Sequence, residues 1–259
     1  MPPDLSWQGL FKRERLIVVI GLLAVTAMAW AYLLTGAGTE MGTHGATPGA
    51  LTPARWNAGY AALMFLMWWV MMIAMMLPSA APMVLLFAAL EARLSRPRPG
   101  ATALFVLAYL IAWGGFSVLA TALQWGLARA GLVSGAAAAA GPGLAAALLI
   151  AAGFWQCAPL KHACLRHCRA PVRFLTERRR EGRAGAFVMG LEHGLYCLGC
   201  CWFLMALLFV GGVMNLYWVA GLALYVLLEK TIPHGHLLGA VLGVGLVAWG
   251  LTLFVLAAL

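Results

Sequence analysis

The sequence predicts an all-α, polytopic transmembrane helical bundle of about seven spans, and three observations predict it. Hydrophobic residues make up 64% of the chain and charged residues only 10%, whereas about a quarter of a soluble domain is charged. The apolar residues gather into runs close to the length of about 20 residues that a helix needs to cross a bilayer. The basic residues are confined to short segments between those runs. With the N-terminus placed in the cytoplasm and seven crossings counted, only Arg55 and Arg129 of the 17 Lys and Arg fall outside. That satisfies the positive-inside rule and puts the C-terminus outside. No segment is polar and long enough to be a separate soluble domain, so residues 1–259 read as one integral membrane domain. The formal charge of +9 comes without a basic stripe interleaved with aromatics. The partner it implies is the lipid bilayer, not nucleic acid.

Residues 1–15 read as a cytoplasmic leader and 16–35 as a retained first span, because the run is too long for a signal-peptide core and has no good cleavage site. Residues 36–55 are rich in Gly, Thr and Pro and read as an external loop. Its Glu40, Met41 and His44 are either solvated or a metal-capturing group. The second span runs from Trp56 towards Leu90, with Pro78 and Pro82 expected to kink or break it. A tight loop with Arg93, Arg96 and Arg98 leads to the third span at 101–128. Residues 129–143 read as a short turn region. The fourth span runs from about Leu144 to Leu160, followed by a basic cytoplasmic segment at 161–186. The fifth span ends near Gly211 and Gly212. The sixth begins at Met214 and ends at Glu229 and Lys230. Leu237 to Leu259 form the seventh. No internal repeat of the transporter kind is present.

The fifth span carries the chemistry. Met189 to Met205 includes Glu192, His193, Tyr196, Cys197, Cys200 and Cys201. At about 100° per residue, Tyr196, Cys200, His193, Cys197 and Cys201 share roughly 140° of arc, with Glu192 at its edge. Polar groups inside a span are costly and are functional candidates by default. Thiolate, thioether and imidazole donors favour Cu(I), and after it Zn²⁺, over the oxygen-seeking Mg²⁺ or Ca²⁺. His193, Cys197, Cys200 and Cys201 are therefore the candidate ligands. The plain alternative for His193 is a satisfied interior histidine.

Two other segments carry sulfur. On the second span Met64, Met71, Met72, Met75, Met76 and Met83 share one side, with Trp68 and Ser79 between them. They form either a packing stripe or a thioether path, in which Met72, Met75 and Met76 serve as entry or secondary ligands. In Trp155 to Arg169, a helix would put Cys157, Lys161, Cys164 and Cys168 on one narrow face. Cys164 and Cys168 have the i, i+4 spacing that lets two thiolates meet one ion, which suggests an inner-face exchange site. The competing reading is two small residues packing a helix end. Glu192 is expected to accept a proton or to pair with Lys161 or an arginine. Glu229 and Lys230 lie either at membrane depth or at headgroup level, and Asn215 is expected to cap the sixth helix.

Four runs in order resemble a known family. They are W-V-M-M-I-A-M-M-L-P at 69–78, P-L-K-x-x-C-L-x-x-C-R at 159–169, G-L-x-H-G-x-Y-C-x-G-C-C-W at 190–202 and G-x-M-N-L-x-W at 212–218, followed by Glu229-Lys230. Together they are similar to a bacterial family of predicted metal-binding integral membrane proteins, a domain of unknown function. The resemblance covers Trp56 to Lys230. It implies an inner-membrane, multi-pass location and marks Met75, Met76, Cys164, Cys168, His193, Cys197, Cys200, Cys201 and Glu229. Cys157 has no place in the motif and is left out of the site.

The expected function is intramembrane binding and handling of a soft transition metal, copper first, by transport, storage or delivery to a partner protein. No nucleotide-binding or phosphorylation motif is present, so any transport is secondary or passive. One alternative is a membrane thiol-redox enzyme using Cys197 and Cys200, although C-x-x-C spacing alone is weak. Another is a structural membrane subunit whose cysteines only pack.

Overall fold

The computed structural model describes residues 4–35, 56–93, 100–134, 139–233 and 235–258. The chain is helical almost throughout. Its elements are α1 (Asp4–Leu34), α2 (Ala58–Ala92), α3 (Ala101–Arg129), a two-residue pairing of β1 (Val133–Ser134) with β2 (Ala139–Ala140), α4 (Pro142–Cys157), α5 (Pro159–Arg169), α6 (Pro171–Glu177), α7 (Gly182–Ala206), α8 (Leu208–Gly211), α9 (Leu216–Thr231) and α10 (Gly235–Ala258). The region expected as a plain turn at 129–143 thus contains a small antiparallel contact, Val133 opposite Ala140. The first helix also reaches back to Asp4, through most of the stretch expected as a leader.

Among the described residues, five helices are long and apolar enough to cross a membrane, and α4 with α5 makes a sixth if this pair, bent by 64°, is one span. The predicted sixth span is the 16-residue α9, shorter than the roughly 20 residues a crossing takes. Seven full-length spans are therefore not found among the described residues. The expected external loop at 36–55, with Glu40, Met41 and His44, lies outside the described residues, as do Arg96 and Arg98.

α2 is the buried axis of the bundle and α10 and α1 are peripheral. α3 packs on α7, α10 on α4, α1 on α2, and α5 on α7. Small residues let these helices approach closely. A Cβ on Gly190 would fall 2.1 Å from the Phe105 carbonyl oxygen, and one on Gly194 would fall 2.6 Å from Ala112 Cβ. α7 is thereby pressed against α3 along the face that carries the cysteines.

Of the kink or break expected in the second span, the break does not occur: α2 runs unbroken through Pro78 and Pro82. A proline removes the hydrogen bond to the carbonyl four residues back. For Pro78 that carbonyl belongs to Ala74, and it accepts the Trp30 indole N–H of α1 at 3.2 Å. A neighbouring helix thus satisfies the freed group, which is what allows proline inside a membrane helix.

Candidate functional site

On α7, His193, Cys197, Cys200 and Cys201 lie on one face at helical spacing, and all four are buried. The face looks onto α2, α3, α5 and α9. Cys200 and Cys201 each donate their thiol to the Cys197 carbonyl, at 3.1 Å and 2.9 Å. Cys201 Sγ also lies 3.9 Å from Met76 Sδ on α2. The thiol segment of α7 and the thioether segment of α2 therefore meet at one contact. Met72 and Met75 are buried in the same core, one turn before Met76 and next to it. The whole predicted methionine side of α2, from Met64 to Met83, is buried.

Cys197 has the most polar surroundings. Its Sγ lies 3.1 Å from the Tyr109 hydroxyl of α3 and 3.0 Å from Lys230 Nζ of α9. The Lys230 ammonium also donates to Ser79 Oγ at 3.0 Å. Tyr109 and Ser79 both donate to the Met76 carbonyl, at 3.1 Å and 2.9 Å. Tyr109, Ser79 and Lys230 thus surround the Cys197 sulfur and the Met76 carbonyl.

The second cysteine cluster adjoins the first. Cys168 of α5 lies within hydrogen-bonding reach of Cys197 and Cys200. A Cβ on Gly199 would fall 2.6 Å from Cys164 Sγ, so α5 rests on α7 at that glycine. Both Cys164 and Cys168 are half-buried, and Cys157 is exposed. The bend at Ala158 and Pro159 takes Cys157 off the face that Lys161, Cys164 and Cys168 were expected to share with it.

His193 is 2% exposed, among rings rather than among sulfurs. It stacks on Phe105 and Tyr109, with centroids 6.1 Å and 5.6 Å away, and meets Phe174 edge-on. Its Nδ1 is buried and has no hydrogen-bond partner. Among the described residues, no three His, Cys, Asp or Glu side chains stand in a geometry that holds an ion. The sulfur donors adjoin one another pairwise, and a thioether supplies the next neighbour.

The remaining predicted polar residues fall elsewhere. Glu192 pairs with Arg180 at 2.8 Å rather than with Lys161. Lys161 is fully buried and forms its ion pair with Glu229, also buried. Glu229 and Lys230 are both buried within the protein, 1% and 7% exposed. Lys161 also donates to Gln156 Oε1, and Tyr225 donates to Glu229 at 3.2 Å. Asn215 caps α9 as expected, accepting from the Trp218 backbone N–H at 3.3 Å.

Sequence reasoning missed Tyr109 and left Ser79 as a spacer. A lone tyrosine in an apolar span carries no periodic signal that distinguishes a buried phenol from an interfacial one. Lys230 was visible as a cation at the end of a span, but its target was not.

No curated protein and no solved structure matches the chain. A family model described as PpoB2, copper chaperone, matches residues 65–253. That range takes in every cysteine and all but one of the stripe methionines just described. It agrees with a core built of thiols and thioethers, the donors that select Cu(I), and the chain belongs to the PpoB2 copper chaperone family.

Proposed function

We propose that the chain binds Cu(I) inside the helical bundle at the sulfur cluster of Cys197, Cys200, Cys201 and Cys168, with Met76 as a thioether neighbour, and delivers it to a partner protein. The observation that carries this reading is that sulfurs of α7 adjoin a thioether of α2 and a thiol of α5 in successive pairs beside Lys230. Cu(I) accepts few and soft ligands, so adjacent pairs of sulfurs suffice where a harder ion would need a closed cage. Charge supports the same assignment. Two thiolates around Cu(I) leave one net negative charge, and the Lys230 ammonium, 3.0 Å from Cys197 Sγ, offsets it in a low-dielectric interior. His193, with its unpartnered Nδ1, serves as an accessory ligand one turn from Cys197. Met72 and Met75 extend the thioether path, and Cys164 stands behind Cys168. The chain sits in the bacterial inner membrane with its basic segment in the cytoplasm.

Ligand exchange suits a chaperone. A thiol must release its proton to bind the ion, and without the ion the site closes on itself through the Cys200 and Cys201 bonds to the Cys197 carbonyl. Adjoining sulfurs let the ion pass from one pair to the next without leaving a ligand shell.

The test is metal content by plasma mass spectrometry on detergent-purified protein after exposure to Cu(I) or Zn²⁺. Near-stoichiometric copper is expected, lost in Cys197→Ser and Cys200→Ala, reduced in His193→Ala and kept in Met28→Leu, a lipid-facing control that is 64% exposed. A chain that retains no metal under either condition refutes the ligand assignment.

A second reading rests on the same lysine. An ammonium beside Cys197, with Cys168 and Cys200 adjoining, is also the environment of a reactive thiolate. A dithiol oxidoreductase built on these cysteines would turn over metal-free. Retained thiol-exchange activity in the copper-free chain, abolished by Cys197→Ser, would select it.

A further inference from the structure

Where α5 meets α6, a pocket of about 470 Å³ is lined by Arg166, His167, Arg169, Arg173, Phe174 and Glu177. Three guanidinium groups face one carboxylate there, and that carboxylate is already paired: Arg173 Nε donates to Glu177 Oε1 at 2.6 Å. Arg169 is held in place by the Ile232 and Pro233 carbonyls at the end of α9. The pocket is therefore a fixed concavity with an excess of positive charge. His167 and Arg169 flank Cys168, which is half-buried and reaches inward to Cys197 and Cys200. His167 lies flat against Tyr196 of α7, with ring centroids 4.0 Å apart and 3° between planes. Cys168 itself does not line the pocket, but its two chain neighbours do, which sets the pocket one residue along α5 from the sulfur cluster.

We propose that this pocket is the loading port for an anionic Cu(I)–thiolate complex, and that Cys168 is the first protein sulfur to take the ion. The inference rests on the copper-site reading above and names the form in which copper reaches that site. Cu(I) carried by two small thiolates is an anion, and a concave field of one sign concentrates such a ligand and speeds its arrival. The transfer is ligand exchange without electron transfer. A bond forms from Cys168 Sγ to copper, a bond from copper to one carrier thiolate breaks, and the Cys168 proton leaves with that thiolate. The copper remains Cu(I) throughout. Cys197 and Cys200, already adjoining Cys168, complete the exchange from the inside.

The experiment compares two copper donors on the full chain in detergent. One is the bis-bicinchoninate complex of Cu(I), which is an anion. The other is tetrakis(acetonitrile)copper(I), which is a cation. Loading is followed by timed desalting and metal analysis. Arg166→Gln combined with Arg173→Gln is expected to slow loading from the anionic donor about tenfold at low ionic strength, and the difference should shrink as salt is added. Loading from the cationic donor should not slow, and the final copper content should match the parent chain. Cys168→Ser should slow loading from both donors. Arg169 is left intact because it fastens α9. Arg179→Gln combined with Arg183→Gln removes the same charge outside the pocket and should leave both rates unchanged. Parent-like loading of the pocket variant from the anionic donor overturns the port, as does equal slowing in the Arg179 and Arg183 control. A parent chain that takes copper from neither donor overturns the sulfur site, and the port with it.

Discussion

Two neighbouring residues of α9 face two different interiors. Glu229 turns to Lys161, with Gln156 and Tyr225 completing a closed polar cluster. Lys230 turns to Cys197 and Ser79. In the first cluster a carboxylate and an ammonium cancel, and α10 closes over them at Gly239, where a Cβ would fall 2.8 Å from Glu229 Oε1. In the second, the ammonium meets a sulfur whose charge depends on what it binds. The comparison separates a fastener from a site: one polar group is matched within the protein, and the other is matched fully only when a thiolate or its metal complex forms.

The largest expected effect breaks the fastener. Lys161→Leu alone leaves Glu229 as an uncompensated buried charge and should cost about 3–5 kcal/mol, read as a lowered unfolding midpoint in detergent. Lys161→Leu with Glu229→Leu should recover most of that loss, because an apolar pair of similar size replaces the ion pair. A double variant as unstable as the single one would mean the network is needed for more than charge balance.

Lys230→Met sharpens the contrast. Its partner is a thiol that can stay neutral, so stability should fall less than in Lys161→Leu. Copper binding should weaken by at least about tenfold, since a hydrogen bond to a charged group contributes about 1.5–3 kcal/mol. A competition titration against a Cu(I) chelator reads the affinity. A smaller effect follows from Met76→Leu, which conserves volume and should shift stability by less than about 1.5 kcal/mol. It should still weaken Cu(I) binding several-fold in the same titration. The smallest effect on copper belongs to Asn215→Ala at the other end of α9. It removes the cap and about 1 kcal/mol of stability, with copper affinity unchanged.

Much of the architecture was legible beforehand. Six of the seven predicted spans correspond to helices or to the bent α4–α5 pair that can serve as spans, because long apolar runs have no stable alternative in lipid. The cysteine face of α7 and the methionine side of α2 followed from helical spacing, and both are buried. Two local features were not legible, for a shared reason. Helix α2 continues through Pro78, where a kink or break was expected, and the partners of Glu229 and Lys230 come from other helices. In each case a group from a helix distant in sequence supplies the missing partner: the Trp30 indole for the Ala74 carbonyl, Lys161 for Glu229, and Cys197 with Ser79 for Lys230.

Sequence by itself determined the membrane-like composition, the helical class, the candidate donors and their preference for a soft metal, because hydrophobicity, helical period and ligand chemistry are local properties. Tertiary structure decided that Cys168 joins Cys197 and Cys200, that Met76 meets Cys201, that Tyr109 and Lys230 enclose the cluster, and that three arginines form a pocket beside it. These depend on which helix faces cross and at what depth. Contacts between α2, α3, α5, α7 and α9 span up to 151 positions, as from Ser79 to Lys230. Periodicity along one helix assigns a residue to a face, but close packing among several helices chooses the neighbour that face meets.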